Sequence, residues 1–133
     1  MPSTPADEAV GAFKRKRTLI QWGPVFLAAF LMELVLFAIA IPLFLGGAGR
    51  VLVYVVPPAA LIATFAITVW LGRRINSKFV LHGVLTGVVG TLMYVGLTRA
   101  QGEPWQYLVA HALKVVGGAA GGMVLTRRRT AAK

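Results

Sequence analysis

Of the ionisable residues inside the long apolar stretches of this chain, three are where chemistry would be done. Glu33 lies midway along the first stretch, and His111 and Lys114 lie within the last. A charge at the centre of a bilayer costs about 2.5–3.5 kcal/mol even on the lenient insertion scale, so neither Glu33 nor Lys114 is expected to face lipid. Their depths agree. Glu33 follows Pro24 by about 9 residues and Lys114 follows Pro104 by about 10, which puts both near the middle of an apolar core about 30 Å thick. A Glu33–Lys114 pair is therefore expected. His111 precedes Lys114 by three positions on one helical face, which continues through Gly118 and Gly122. On the first stretch Phe26, Phe30, Glu33 and Phe37 form the corresponding face, and Thr64 and Thr68 of the second stand ready to add hydroxyls. Two readings compete. A carboxylate, an imidazole and an ammonium within reach of one another suit a proton-coupled or ligand-binding site, whereas a buried ion pair also serves simply to fix two helices.

The elements that must position these groups follow from composition. At 133 residues the chain allows one domain, and 57% hydrophobic content with a mean hydropathy of +0.74 is too apolar for a soluble domain of that size. The apolar runs predict an all-α, integral membrane bundle of four transmembrane helices, at about 19–45, 51–71, 79–97 and 104–125, within a transmembrane domain of residues 19–126. Residues 1–18 read as a disordered basic tail, rich in small and polar residues, and 127–133 as a second basic tail. The first run is too long for a cleaved signal peptide and reads as a retained anchor. Pro42 falls in its final turn, and the pair Pro57–Pro58 should kink the second helix.

Charge sets the orientation. Lys14, Arg15, Lys16 and Arg17 precede the first run; Arg73, Arg74 and Lys78 join the second and third; Arg127, Arg128, Arg129 and Lys133 follow the fourth. The opposite connections hold only Arg50 and Arg99. By the positive-inside rule both termini are cytoplasmic, and a bacterial inner membrane is the expected location. Trp22 and Trp70 fall near the inner boundary, and Tyr94, Trp105 and Tyr107 near the outer one. The basic clusters set topology first and attract anionic lipid head groups second, at about 1 kcal/mol for each cation. Because they gather at the ends of apolar runs, the net charge of +10 does not imply a nucleic-acid partner.

Glycine dictates packing. Gly83, Gly87 and Gly90 share a face of the third helix, and Gly117, Gly118, Gly121 and Gly122 make two overlapping G-x-x-x-G pairs in the fourth. Lipid offers no hydrophobic drive between helices, so small residues permit the close approach that supplies dispersion contact. The third and fourth helices should pack tightly, within one chain or across a homodimer.

Several chemistries find no support. The chain has no cysteine, so disulfides, thiolate metal sites and cysteine nucleophiles are excluded. No P-loop, H-E-x-x-H or nucleophile elbow occurs, and neither an enzyme activity nor a metal or other cofactor is expected. A haem held between His82 and His111 fails on geometry, because their depths leave about 14 Å between them along the membrane normal. His82 is expected at the inner interface beside Lys78, solvated or facing lipid.

Four spans with a carboxylate midway along the first resemble, in architecture, the small multidrug resistance transporters. That likeness implies a role for Glu33 in binding cations in exchange for protons. The chain departs from the family in carrying Lys114 at the same depth, in its one-sided charge, and in its second and third helices. From Gly72 to Arg129, with LHGVLTG and KVVGGAAGG, it is similar in style to small bacterial four-helix membrane proteins of uncharacterised function. The expectation is a non-enzymatic inner-membrane protein, a homo-oligomer or an accessory subunit of a membrane complex; the alternative is a small proton- or ion-coupled transporter using Glu33, His111 and Lys114.

Overall fold

Thr4 precedes the first helix. Its hydroxyl accepts from the amide of Asp7, and its amide and hydroxyl both donate to the Asp7 carboxylate, at 3.2 and 2.7 Å. With Pro5 at the first helical position, this is a reciprocal cap. The computed structural model describes residues 2, 4–16, 20–99 and 101–133, with 11–16 described by their backbone. Five helices occur among them: α1 (Pro5–Lys16), α2 (Trp22–Leu45), α3 (Gly49–Leu71), α4 (Phe79–Thr98) and α5 (Trp105–Ala131). The helical α1 corrects the expectation of a disordered tail: the composition is poor in core-forming residues, but the cap satisfies the first turn locally.

The four helices from α2 to α5 are each long and apolar enough to cross a membrane. At 20 to 27 residues they measure about 30–40 Å. This is the architecture of a multi-pass membrane protein. The end of the last helix differs from the sequence reading. Arg127, Arg128 and Arg129 are not a separate tail but extend α5 by its last turns, because nothing before Ala132 breaks the helix. The helix α3 also stays helical through Pro57 and Pro58.

The helix α5 is the hub. It packs most extensively on α3 and α4; α2 leans on the same two helices, and α2 and α5 have no close backbone approach among the described residues. These two therefore occupy opposite corners of the bundle. The glycines explain the asymmetry. A methyl group built on Gly83 or Gly118 would collide with the carbonyl of the other, and one on Gly122 would sit 2.5 Å from Val80 Cα. On the neighbouring face of α5, a methyl on Gly117 or Gly121 would press into the α3 backbone at Leu61 and Phe65. One face of α5 thus seats α4 and the next seats α3, all inside a single chain.

The core uses alanine where α2 meets its neighbours. Val25, Ala28, Ala29, Met32 and Leu36 are buried on α2, against Ala60 and Ala63 of α3 and Val89 of α4. Large apolar side chains point outward on every spanning helix, among them Phe30, Phe44, Ile62, Leu92, Leu108 and Met123. A water-soluble protein would bury such residues; a bilayer solvates them.

The helix ends are fastened individually. Arg129 donates from Nη2 to the carbonyls of Gly72 and Ile75, at 3.2 and 3.4 Å, while its guanidinium lies 4.7 Å from the Phe79 ring centre. It holds the α3–α4 connection against the end of α5. The buried Ile75 and Phe79 join Ala28 and Leu71 beneath that connection.

Candidate functional site

Lys114 and Glu33 are both almost fully buried, and Lys114 Nζ donates to Glu33 Oε1 at 2.6 Å. Two glycines of α4 make room. A methyl on Gly87 would lie 2.8 Å from the Lys114 carbonyl, and one on Gly90 would lie 3.1 Å from Glu33 Oε1 and run into Met32 Cε. With α4 this close, the two long side chains span the bundle's diagonal. The Lys114 ammonium also lies 5.2 Å from the ring centre of Tyr94, within cation–π range.

Tyr94 connects this pair to a second ionisable group. Its hydroxyl donates to Glu103 Oε1 at 2.6 Å, and Glu103 Oε2 lies 3.8 Å from His111 Nε2. The Tyr94 ring stacks on Phe37 and tilts against the His111 imidazole, with centroids 6.3 and 5.1 Å away. A cavity of about 100 Å³ opens between these groups, bordered by Glu33, Phe37, Tyr94, Tyr107, His111 and Lys114. That volume is room for about three waters. His111 Nδ1 is buried with no hydrogen-bond partner among the described residues. The arrangement is a polar path from the bundle's centre, through a tyrosine, to the connection between α4 and α5. Chemically it can hold water, pass protons between hydrogen-bonded groups, or lock α2 to α5 by charge.

The structure rearranges several expected partners. Phe26 and Phe30 are about half exposed rather than facing the interior; the buried face of α2 is rotated towards Ala28, Ala29 and Met32, whose slim profiles allow contact that phenylalanine rings would block. Thr64 is fully buried, but its hydroxyl donates to the Ala60 carbonyl one turn back and does not reach the pair. Thr68 lies against Gly83 and Gly121 with its hydroxyl unpartnered among the described residues.

His82 is a clear departure. It is 1% exposed, not solvated: Nε2 accepts from the amide of Gln21 at 3.0 Å and Nδ1 lies 2.9 Å from the Lys78 carbonyl. One proton on Nδ1 satisfies both bonds. His82 thereby ties the start of α2 to the start of α4, at the opposite end of the bundle from His111.

The basic residues divide. Lys14, Arg15 and Lys16 lie in α1, and Arg17 lies outside the described residues; Arg73, Arg74, Lys78, Arg127 and Arg128 are exposed at the end where α3 finishes and α4 begins. Sequence reading missed Glu103 and Tyr107 as site residues, although Glu103, Tyr107 and His111 recur at intervals of four, the spacing of one helical face. Tyr94 was assigned to the interface only; nothing local distinguishes an interfacial tyrosine from one bonded to a carboxylate.

No protein-family model, curated protein or solved structure matches the chain.

Proposed function

We propose that this is a non-enzymatic protein of a bacterial inner membrane, with both termini in the cytoplasm, acting as a homo-oligomer or an accessory subunit of a membrane complex. The observation that carries this reading is the Glu33–Lys114 pair. Each central charge is neutralised by the other at 2.6 Å within the chain, which leaves the bundle internally complete and its broad apolar faces available for lipid or for neighbouring subunits. The orientation is supported by the collection of Arg73, Arg74, Lys78, Arg127 and Arg128 at one end of the bundle. Purification from native membranes in mild detergent tests the assembly. Recovery in a larger complex, or as a defined multimer, is the expected outcome; a uniform monomer would count against it.

A second reading is favoured by the cavity beside Tyr94 and His111: a small proton- or ion-coupled transporter in which Glu33, Lys114 and His111 carry the coupled charge. Its architecture is the one in which the chain resembles the small multidrug resistance transporters. Proteoliposome uptake or proton release that depends on pH and vanishes in Glu33→Gln would favour this reading over the first.

A further inference from the structure

A groove separate from the central pair opens where α4 begins and α5 ends. Its polar part carries Lys78, Arg129 and Lys133 with the hydroxyl residues Ser77 and Thr130, while Val80 and Leu81 continue it along the apolar flank of α4. No acidic side chain borders it. Lys78 and Lys133 are exposed and form no salt bridge among the described residues. Arg129 is already held by the Gly72 and Ile75 carbonyls, but those bonds leave its charge uncompensated.

From this combination we infer that the groove binds the phosphate of an anionic phospholipid, with the acyl chain lying along Val80 and Leu81. Three cationic side chains with no acidic side chain among them select a negative head group. The apolar wall distinguishes a lipid from a free phosphate, because only a lipid gains by covering it. The position fits as well, since the groove lies where two spanning helices reach their basic ends. Which leaflet supplies the lipid follows from the orientation proposed above; binding itself does not depend on that orientation or on the partner reading.

Native mass spectrometry of the full chain in mild detergent tests the inference, with phosphatidylglycerol or phosphatidylcholine added at equal concentration. Phosphatidylglycerol should be retained several-fold more than phosphatidylcholine. In Lys78→Gln with Lys133→Gln, that several-fold preference should fall most of the way to parity. Arg129 is left in place because it fastens the α3–α4 connection. A matched control, Arg73→Gln with Arg74→Gln, removes equal charge outside the groove and should lower the preference clearly less than the groove variant does. Equal retention of the two lipids by the unaltered chain would overturn the inference without recourse to any variant, as would an equal loss in the control. Complete displacement of phosphatidylglycerol by millimolar inorganic phosphate would reassign the groove to free phosphate and overturn the lipid.

Discussion

Lys114 and Glu33 meet at 2.6 Å from helices that occupy opposite corners of the bundle, so the contact depends entirely on side-chain length and on the thinness of α4 between them. Removing either partner leaves a nearly buried charge without its counter-charge. Glu33→Leu and Lys114→Met should each lower stability by about 3–5 kcal/mol, while the double change should recover most of the loss. Reversible unfolding in mixed micelles measures all four corners of the cycle. Single losses that simply add would mean that the two groups do not support each other.

Glycine contacts make a sharper claim about position. Gly118 lies on the Gly83 carbonyl, whereas Val116, two residues away, is 55% exposed on the outside of α5. Gly118→Leu should therefore separate α4 from α5 and lower stability by more than about 3 kcal/mol, the upper range of ordinary overpacking, while Val116→Leu should be near neutral. Because these contacts are inside one chain, the disruption should appear as unfolding and not as a change in oligomer size. Equal effects of the two substitutions would show that close approach at Gly118 is not what holds the helices.

The four spans were readable because apolar run length is a direct consequence of bilayer thickness, and it survives any detail of packing. Pairing Glu33 with Lys114 required only their common depth and the cost of leaving either alone. Rotation about each helix axis was not readable in the same way. Phe26 and Phe30 share a helical face with Glu33, yet the interior of α2 is set by where alanine permits contact, and in lipid a large apolar ring is at no disadvantage outside. The roles of His82 and Glu103 depend on partners 61 and 9 residues away, Gln21 and Tyr94. A lone polar residue near a membrane boundary gives no local sign of such a partner. The helix α1 was hidden for another reason: its small and polar residues suggested disorder, but the Thr4–Asp7 cap satisfies its first turn and Pro5 occupies the helical position where proline fits.

His82 should prove structural. His82→Phe keeps the ring volume and removes the acceptor for the Gln21 amide, leaving a part-buried donor without its partner, at a cost of about 1–3 kcal/mol. Hydrogen exchange should report the damage locally, as faster exchange at the start of α2 with the half of the bundle around His111 unchanged. Protection at the α2 start equal to that of the unaltered chain would remove this role.

The α1 cap carries a pH dependence with a definite sign. Hydrogen bonds from the Thr4 hydroxyl and amide hold the Asp7 carboxyl below its ordinary value of 3.8. A carboxyl depressed in the folded helix contributes its stabilisation fully above the unfolded value, and loses it as pH falls from there through the folded one. Helical amide shifts across residues 6–10 should thus hold steady from neutrality to about pH 5 and decline below about pH 4. Thr4→Val should weaken the helix at neutral pH and flatten the acid transition. An unchanged transition in that variant would trace it to another group.

The absence of cysteine makes the orientation directly measurable. Ser77→Cys lies in the connection fastened by Arg129, and Gln101→Cys lies at the opposite end of the bundle, beside Glu103. A membrane-impermeant maleimide applied to whole cells should label residue 101 and spare residue 77, and inverted vesicles should reverse the pattern. Both sites respond to one reagent without background from native thiols. Labelling of residue 77 from outside would invert the bundle, moving the Glu103–His111 end and its cavity to the cytoplasmic face; labelling of both sites from both sides would indicate dual insertion, and the charge bias would then have failed to fix a single topology.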